Sequence, residues 1–517
     1  MNKDLVIGLD SSTSATKAIA WTRDGEFVAE ARVSIQLSNP EPGHFEQEPD
    51  EWWNSTSGAL KQLLAKINPD RIAAISIANQ RETFGLFDSN GVAVMPGMVW
   101  LDERSRNQAI QFSEEVGSAH IRAITGKPVD VVVPIYRMIW VREERPEIFE
   151  KVEHYADVHC FLNFCLTGNW ATSTASADPS GMLDMATKSW SEELLSAAGI
   201  PLAIMPDLVE PGSLIGEVTQ AAADSCGLSA GTPVIAGGGD GQCAACGAGV
   251  IEPSTAYMNL GTALVAGVYS PEFKHDQAFR TELAISDSGY ICETVLKSGT
   301  FLIDWVAREL GGVSEEERPS YLEQLEKEAT CSPIGAGGIV VLPFWQGSMT
   351  PHWDTDARGI IAGLSGSSRR GDVYRALLEG LALDQAYALE KAVSATGGSI
   401  DHVVAIGGGS ASKLLLQIIA DALNIPVLRS AVTEASSLGA AMSAAYGVGW
   451  YDSLASASSS MSQKDFQTTN PDSKRAARYA ELREIYDELW PTISSWNKRL
   501  RSFANEDLAP SETKRKR

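Results

Sequence analysis

Residues 5–9 form a short apolar run that stops at Asp10, and after the polar stretch 11–16 a second run, 18–21, leads into Asp24-Gly25. Apolar runs of this length, broken by turn residues, predict strand, turn, strand; residues 26–34 continue the meander. At 49–66 the spacing changes. Pro49-Asp50-Glu51 opens a stretch with apolar positions at helical intervals, which predicts the first long helix, and residues 72–77 return to strand. Strands alternating with helices point to an α/β layer architecture rather than a bundle or a sandwich.

Far along the chain the opening pattern returns: residues 256–260, the turn Gly261-Thr262, then 263–269. The echo predicts two halves of similar architecture. Between them, 233–236 reads as a strand, Gly237-Gly238-Gly239-Asp240 as a turn and 242–249 as a small-residue helix. A boundary near Glu252-Pro253 divides the chain into 1–252 and 253–503, with 504–517 a polar tail. In the second half, 403–406 reads as a strand, Gly407-Gly408-Gly409 as a tight turn and 410–423 as a helix. Residues 474–500 form an amphipathic helix expected to break or kink near Pro491, and the Ala and Ser run 455–460 reads as a low-complexity loop.

Length agrees with this division, since 517 residues exceed what one core of typical size uses. A formal charge of -24 repels nucleic-acid backbones, so polymer binding is excluded while local phosphate binding through backbone N–H groups is not. Seven cysteines, an odd number in a long chain, do not look like a disulfide-stapled secreted domain. With no leader-like start and no apolar run of about 18 residues, the reading is cytoplasmic, without a membrane partner. The basic run Lys514 to Arg517 reads as a solvated end.

Three turns have phosphate-binding character: Asp10-Ser11-Ser12-Thr13 with Lys17 on the following strand, Gly261-Thr262, and Gly407-Gly408-Gly409-Ser410. None fits the P-loop or the dinucleotide spacing. As a group they suggest a nucleotide held between two domains. Asp240, after three glycines at a strand end, suits a base that takes a proton from an attacking hydroxyl; an N-cap for the next helix is an equal reading. Trp100, Asp102 and Arg104 either line a sugar site or form a structural ion pair beside a packed Trp. Cys243 and Cys246 have redox or half-zinc spacing, but no second pair supports a metal.

Taken in order, Gly8-Leu9-Asp10-Ser11-Ser12-Thr13-Ser14-Ala15-Thr16-Lys17, Gly237-Gly238-Gly239-Asp240, Asn259-Leu260-Gly261-Thr262 and Ile406-Gly407-Gly408-Gly409 resemble the FGGY family of carbohydrate kinases, over about residues 4 to 450. The resemblance implies a duplicated actin-like, ribonuclease-H-like fold with two lobes around a central cleft, and phosphorylation of a sugar or polyol by ATP with Mg²⁺. It implies Asp240 as general base and Asp10 as organiser of the metal. It also places Ser12, Thr13, Lys17, Gly261, Thr262 and Gly299 at the ATP phosphates, and Gly408, Gly409 and Ser412 against the adenosine. Residues 434–440, Glu434-Ala435-Ser436-Ser437-Leu438-Gly439-Ala440, resemble the helix start that links the halves. A homodimer is compatible with the resemblance.

Within the family, Gly43-His44-Phe45-Glu46-Gln47-Glu48-Pro49-Asp50-Glu51-Trp52-Trp53, the Asp-Ser-Ser-Thr turn and Met349-Thr350-Pro351-His352 look like xylulokinases, which implies a ketopentose such as D-xylulose. Asn79-Gln80-Arg81-Glu82-Thr83 is instead similar to the substrate segment of glycerol kinases, so a glycerol or tetritol kinase is the alternative. Gln80, Arg81, Glu82, Trp100 and Asp102 are therefore the candidate substrate residues. A fixed donor beside a fixed acceptor, Arg81 and Glu82, suits a polyhydroxy ligand. Val132 and Gly241, where a glycerol kinase would carry Tyr and Gln, leave space for a longer acceptor. A nucleotide-gated interaction protein on the actin-like fold is the rival from another class.

Overall fold

In the first half, β1 (Leu5–Ser11), β2 (Ala15–Thr22) and β3 (Phe27–Ser34) form the expected antiparallel meander, and β4 (Ile72–Asn79) lies parallel to β1 on its other side. At the far edge come β5 (Leu214–Glu217) and β6 (Pro233–Gly239), giving the order β5-β6-β4-β1-β2-β3. The second half repeats the scheme. There β7 (Thr255–Leu260), β8 (Leu264–Ser270), β9 (Arg280–Leu283) and β10 (Tyr290–Leu296) precede β11 (His402–Ile406), β12 (Val427–Arg429) and β13 (Gln467–Thr469), in the order β9-β10-β8-β7-β11-β12-β13. The series β3-β2-β1-β4-β6 and β10-β8-β7-β11-β12 match strand for strand in direction, each an antiparallel meander followed by two parallel strands. This computed structural model describes residues 3–286, 289–430, 433–462 and 467–508, so the tail beyond 508, with its basic run, lies outside the described residues.

Around the sheets lie α1 (Pro49–Leu64), α2 (Val158–Thr167), α3 (Asp240–Gly247), α4 (Arg370–Thr396), α5 (Lys413–Leu423), α6 (Ala435–Gly447), α7 (Leu454–Met461) and α8 (Ser473–Leu508). Leu5, Ile7 and Leu9 share one core with Trp52, Leu60 and Leu63 of α1 and Phe161 of α2, whereas Val6 shares another with Leu438 and Ala441 of α6. A strand covered by helices on both faces must be apolar at every position, which is why 5–9 reads as an unbroken run.

α6 comes from the second half of the chain yet sits on the first sheet, and glycines make that approach possible. A Cβ on Gly8 would lie 1.9 Å from the carbonyl oxygen of Ser437, one on Gly247 2.1 Å from that of Ala435, and one on Gly439 2.0 Å from that of Cys243. Ser437 Oγ donates to the Gly8 carbonyl at 2.9 Å and accepts from Trp21 Nε1 at 3.1 Å.

Five local expectations are corrected. Gly237-Gly238-Gly239 is the end of β6 rather than a turn, because a side chain on Gly237 would run into the Ile77 carbonyl at 2.0 Å; the glycines serve close strand packing. The helix after it begins at Asp240, and α5 begins at Lys413 after a short 3₁₀ turn at Gly408–Ala411. The run 455–460 is helical, closed by a Ser453–Ser456 capping box and buried through Leu454, Ala457 and Met461 at helical spacing. α8 runs through Pro491 without a break, held by Tyr479, Tyr486 and Trp490 in the second-lobe core. Among the described residues no helix is long and apolar enough to cross a membrane.

Because backbone rather than a flexible side chain blocks a methyl group at Gly8 and Gly439, Gly8→Ala and Gly439→Ala are each expected to destabilise by about 3 kcal/mol or more. Gly366→Ala, where a Cβ meets nothing within 4 Å, is expected to change stability by less than about 0.5 kcal/mol. Chemical denaturation of the three variants checks the ordering.

Candidate active site

Asp240 is the first residue of α3, directly after β6, and the N-cap is Gly239. Its Oδ1 accepts the N–H of Gly241 at 2.8 Å and Nε of Arg81 at 3.0 Å, and 38% of the side chain stays open to solvent. Burial of the site lifts its carboxyl above the ordinary range, with Arg81 and the Gly241 N–H opposing. Arg81 lies across bare backbone: a Cβ on Gly239 would come 2.6 Å from its Cγ and Cδ, and one on Gly241 2.8 Å from its Nη2.

From Arg81 the charges continue into the second lobe. Arg81 Nη1 donates to both oxygens of Glu293 on β10 at 3.0 and 3.1 Å, and Tyr257 on β7 donates to Glu293 Oε2 at 2.7 Å. Arg280 on β9 donates to Glu293 at 2.8 Å and, back across to the first lobe, to Glu82 at 2.6 Å. Lys127 reaches Glu282 at 3.2 Å and Asp178 at 3.6 Å. Burial disfavours charge on Glu293, but Arg81, Arg280 and the Tyr257 hydroxyl outweigh it and hold the carboxyl down at about 2. Asp178 is pushed the other way, by burial and by Glu282, with Lys127 opposing. Glu82 stands at φ 54°, in the left-handed region, where the chain turns to present it to Arg280.

Beside this floor, Lys17 pairs with Glu434 at 2.5 Å, ahead of α6, and Ser436 Oγ donates to the Asp240 carbonyl at 3.1 Å. Asp10 closes β1. Burial, and then the charge of Asp240, push its carboxyl up to about 7 with Lys17 opposing, and its buried Oδ1 has no hydrogen-bond partner. An orphaned carboxylate oxygen in negative surroundings is chemistry that fits a cation.

In the second lobe the small-residue bends meet. Thr300 donates its N–H and its hydroxyl to the Gly261 carbonyl, both at 2.9 Å, and Gly299 N–H donates to the Thr262 carbonyl at 2.8 Å. A Cβ on Gly409 would lie 2.8 Å from Thr300 Cγ2 and 2.9 Å from Leu260, while Gly408 is exposed. Ser412 caps α5 and donates to Glu326 at 2.9 Å. In the first bend, Ser12 Oγ donates to the Ala15 carbonyl at 2.8 Å and Thr13 Oγ1 accepts from Trp100 Nε1 at 2.9 Å.

Not every expected substrate residue reaches an open surface. Asp102 is fully buried, its oxygens taken by the Phe45 N–H and by Arg104, and Gln80 is buried against Gln47 and Thr83. Glu82 lines a narrow recess with Lys127, Asp130, Val132, Arg280, Met349 and Trp353. His352 points elsewhere, stacked on Tyr387 within the second lobe. Sequence reasoning missed Glu293, Arg280, Glu282 and Lys127. A signal existed for Glu293, a single carboxylate inside the apolar strand 290–296.

Glycine-rich bends and a buried charge network beside a partly open carboxylate are parts that a phosphotransferase uses. Comparison with known proteins makes this specific. The profile for the N-terminal domain of the FGGY family of carbohydrate kinases matches residues 5–247, and that for its C-terminal domain matches 256–448. The xylulose kinase of Bacillus subtilis is 30% identical over 96% of this chain and 99% of its own, and a glycerol kinase of Shewanella piezotolerans is 28% identical over 94% and 99%. The solved xylulose kinase of Rhodospirillum rubrum superposes with a TM-score of 0.87 at 27% identity, over 95% of this chain and 99% of that one. The chain belongs to the FGGY family of carbohydrate kinases: it is a sugar kinase on the duplicated actin-like, ribonuclease-H-like ATPase fold.

Asp10 is more acidic unfolded than folded, so its ionisation opposes folding, increasingly from about pH 4 to pH 7 and then constantly. Asp10→Asn is expected to raise Tm by about 2 °C or more at pH 8 without nucleotide or metal, with a smaller gain at pH 5. Calorimetry at the two pH values checks it.

Proposed function

We propose that this kinase transfers the terminal phosphate of ATP to a hydroxyl of a small neutral ketose, a ketopentose of the D-xylulose type, with Asp240 as general base. One observation carries the reading: a carboxylate at a strand end, partly open to solvent, aimed by Arg81 and the Gly241 N–H and raised in proton affinity. Asp240 would take the hydroxyl proton as the oxygen attacks. Arg81 Nη2, which neither carboxylate uses, would steer that hydroxyl, and Glu82 would accept from another. The bends at Ser12-Thr13, Gly261-Thr262 and Gly299, with Lys17, would hold phosphates, and Gly408, Gly409 and Ser412 the adenosine. Asp10 would hold Mg²⁺, which when bound offsets the charge spread over the transferring phosphoryl oxygens. We assign the acceptor and base to the first lobe, 1–252, and the nucleotide to the second, 253–503, in a cytoplasmic enzyme.

Charge argues for a neutral acceptor. Asp240, Glu82, Glu282 and Glu293 stand with Asp178 around Arg81, Arg280 and Lys127, so the site has no spare cation for a sugar acid. The glycerol kinase relative and the Arg81-Glu82 pair favour a second reading, a glycerol or tetritol kinase. Against it, Val132 lines the recess where an aromatic ring would shorten it, and Gly241 gives its space to Arg81.

Asp240→Asn is expected to lower kcat by roughly 10²- to 10⁴-fold while ATP still binds; a variant that kept most of its turnover would remove the base. Coupled ADP release over D-xylulose, D-ribulose, L-ribulose, erythritol and glycerol tests the acceptor, and a highest kcat/KM for glycerol would overturn the ketose assignment. The acid limb of kcat/KM is expected above the ordinary carboxylate range, with activity lost as pH falls through it. Arg81→Gln, which removes the opposing charge, is expected to move that limb to higher pH.

A further inference from the structure

We propose that His159 is a positioning residue for the base: its Nε2 accepts the N–H of Gly237 and thereby fixes the end of β6 from which Asp240 projects. The inference rests on Asp240 being the base. His159 lies on α2, is fully buried and does not touch the acceptor recess. Its Nε2 is 3.1 Å from the Gly237 nitrogen. At that point the β6–β4 ladder shifts register, between Ile235 and Gly238, so the Gly237 N–H falls out of step with the sheet and needs another acceptor. Gly237 is pressed against the Ile77 carbonyl on its other side, so the imidazole and the neighbouring strand clamp the backbone three residues before Asp240.

The ring is itself anchored. Its Nδ1 faces Thr172 Oγ1 at 3.2 Å, and that hydroxyl donates to Asp157 Oδ2 at 2.9 Å; Asp157 in turn accepts the Cys160 N–H at 2.7 Å as the cap of α2. An Nε2 that accepts requires the proton on Nδ1, which then donates to Thr172. The Asn163 side-chain nitrogen also lies 2.9 Å from Nδ1, which sets two donors against each other. The Asn163 amide is held in that orientation by its bond to the Ala171 carbonyl at 3.1 Å, and the backbone N–H of Gly237 cannot turn, so it is the Gly237 donor that fixes Nε2 as the acceptor and leaves Nδ1 to carry the proton toward Thr172. Burial keeps the imidazole neutral by holding its pKa down at about 3.

The test pairs kinetics with a tautomer measurement. His159→Leu, which removes the acceptor, is expected to lower kcat roughly 10- to 100-fold with KM for ATP within about twofold, since a base displaced by about 1 Å loses that much. His159→Gln, whose amide oxygen can accept, is expected to recover part of the loss. In wild-type protein labelled with ¹⁵N-histidine, NMR is expected to show the Nδ1–H form and no titration between pH 5 and 8. An Nε2–H tautomer, a wild-type kcat for His159→Leu, or equal losses for Leu and Gln would overturn the proposal. If His159→Leu fails to fold, the Gln variant and the NMR spectrum still decide it. Asp240→Asn is assayed in parallel: if it stays active the base reading itself fails, whereas an inactive Asp240→Asn with an unimpaired His159→Leu removes only the positioning role.

Discussion

The seat of α6 on the first sheet is the constraint from which the active site follows. With Gly8, Gly247 and Gly439 bare, the start of a helix encoded near residue 435 lies against the strand end at Asp10 and against α3, which begins with Asp240. That contact brings Glu434 to Lys17 and the Ser436 hydroxyl to the Asp240 carbonyl. Any residue larger than glycine would lift the helix by more than an ångström and separate groups that are far apart in sequence.

The floor of the cleft uses charge against its own stability. Desolvating Arg81, Arg280, Lys127 and their carboxylates costs several kcal/mol per ion, and the pairing does little more than return it. What the network supplies is direction. Arg81 is tied at Nε to the first-lobe Asp240 and at Nη1 to the second-lobe Glu293, so the orientation of the carboxylate depends on both lobes being together. Glu82 and Arg280 form a second tie across the same gap.

Much of this was readable in the sequence where one local rule decides the outcome. The apolar runs at 5–9 and 256–260, the Pro-led helix at 49 and the echo between the halves follow from burial on two faces and from turn chemistry, and they match the strands found. The misses share a cause. Gly237 to Gly239 and the Ala and Ser run at 455–460 are small because something else approaches closely or packs tightly there, and small residues look alike whether they make a turn, a strand or a helix. Asp102 and Gln80 are candidates by polarity, and that both are buried against protein partners is a tertiary fact no local pattern carries. Glu293 and Arg280 stand 212 and 198 residues from their partners Arg81 and Glu82, beyond the reach of any spacing argument.

The mixed substrate signals reconcile through Arg81. In sequence, Gln80-Arg81-Glu82 looks like a polyol-binding triplet, yet in space Arg81 spends Nε and Nη1 on carboxylates and, among the described residues, has no hydrogen-bond partner at Nη2, while Glu82 is engaged by Arg280 through Oε1. It can lie so because Gly239 and Gly241 have no side chains, and a Gln at 241 would occupy the space its Nη2 fills. The triplet and the glycine after the base are therefore coupled choices. Together they make the arginine a bridge between the lobes, tied at Nε to Asp240 and at Nη1 to Glu293.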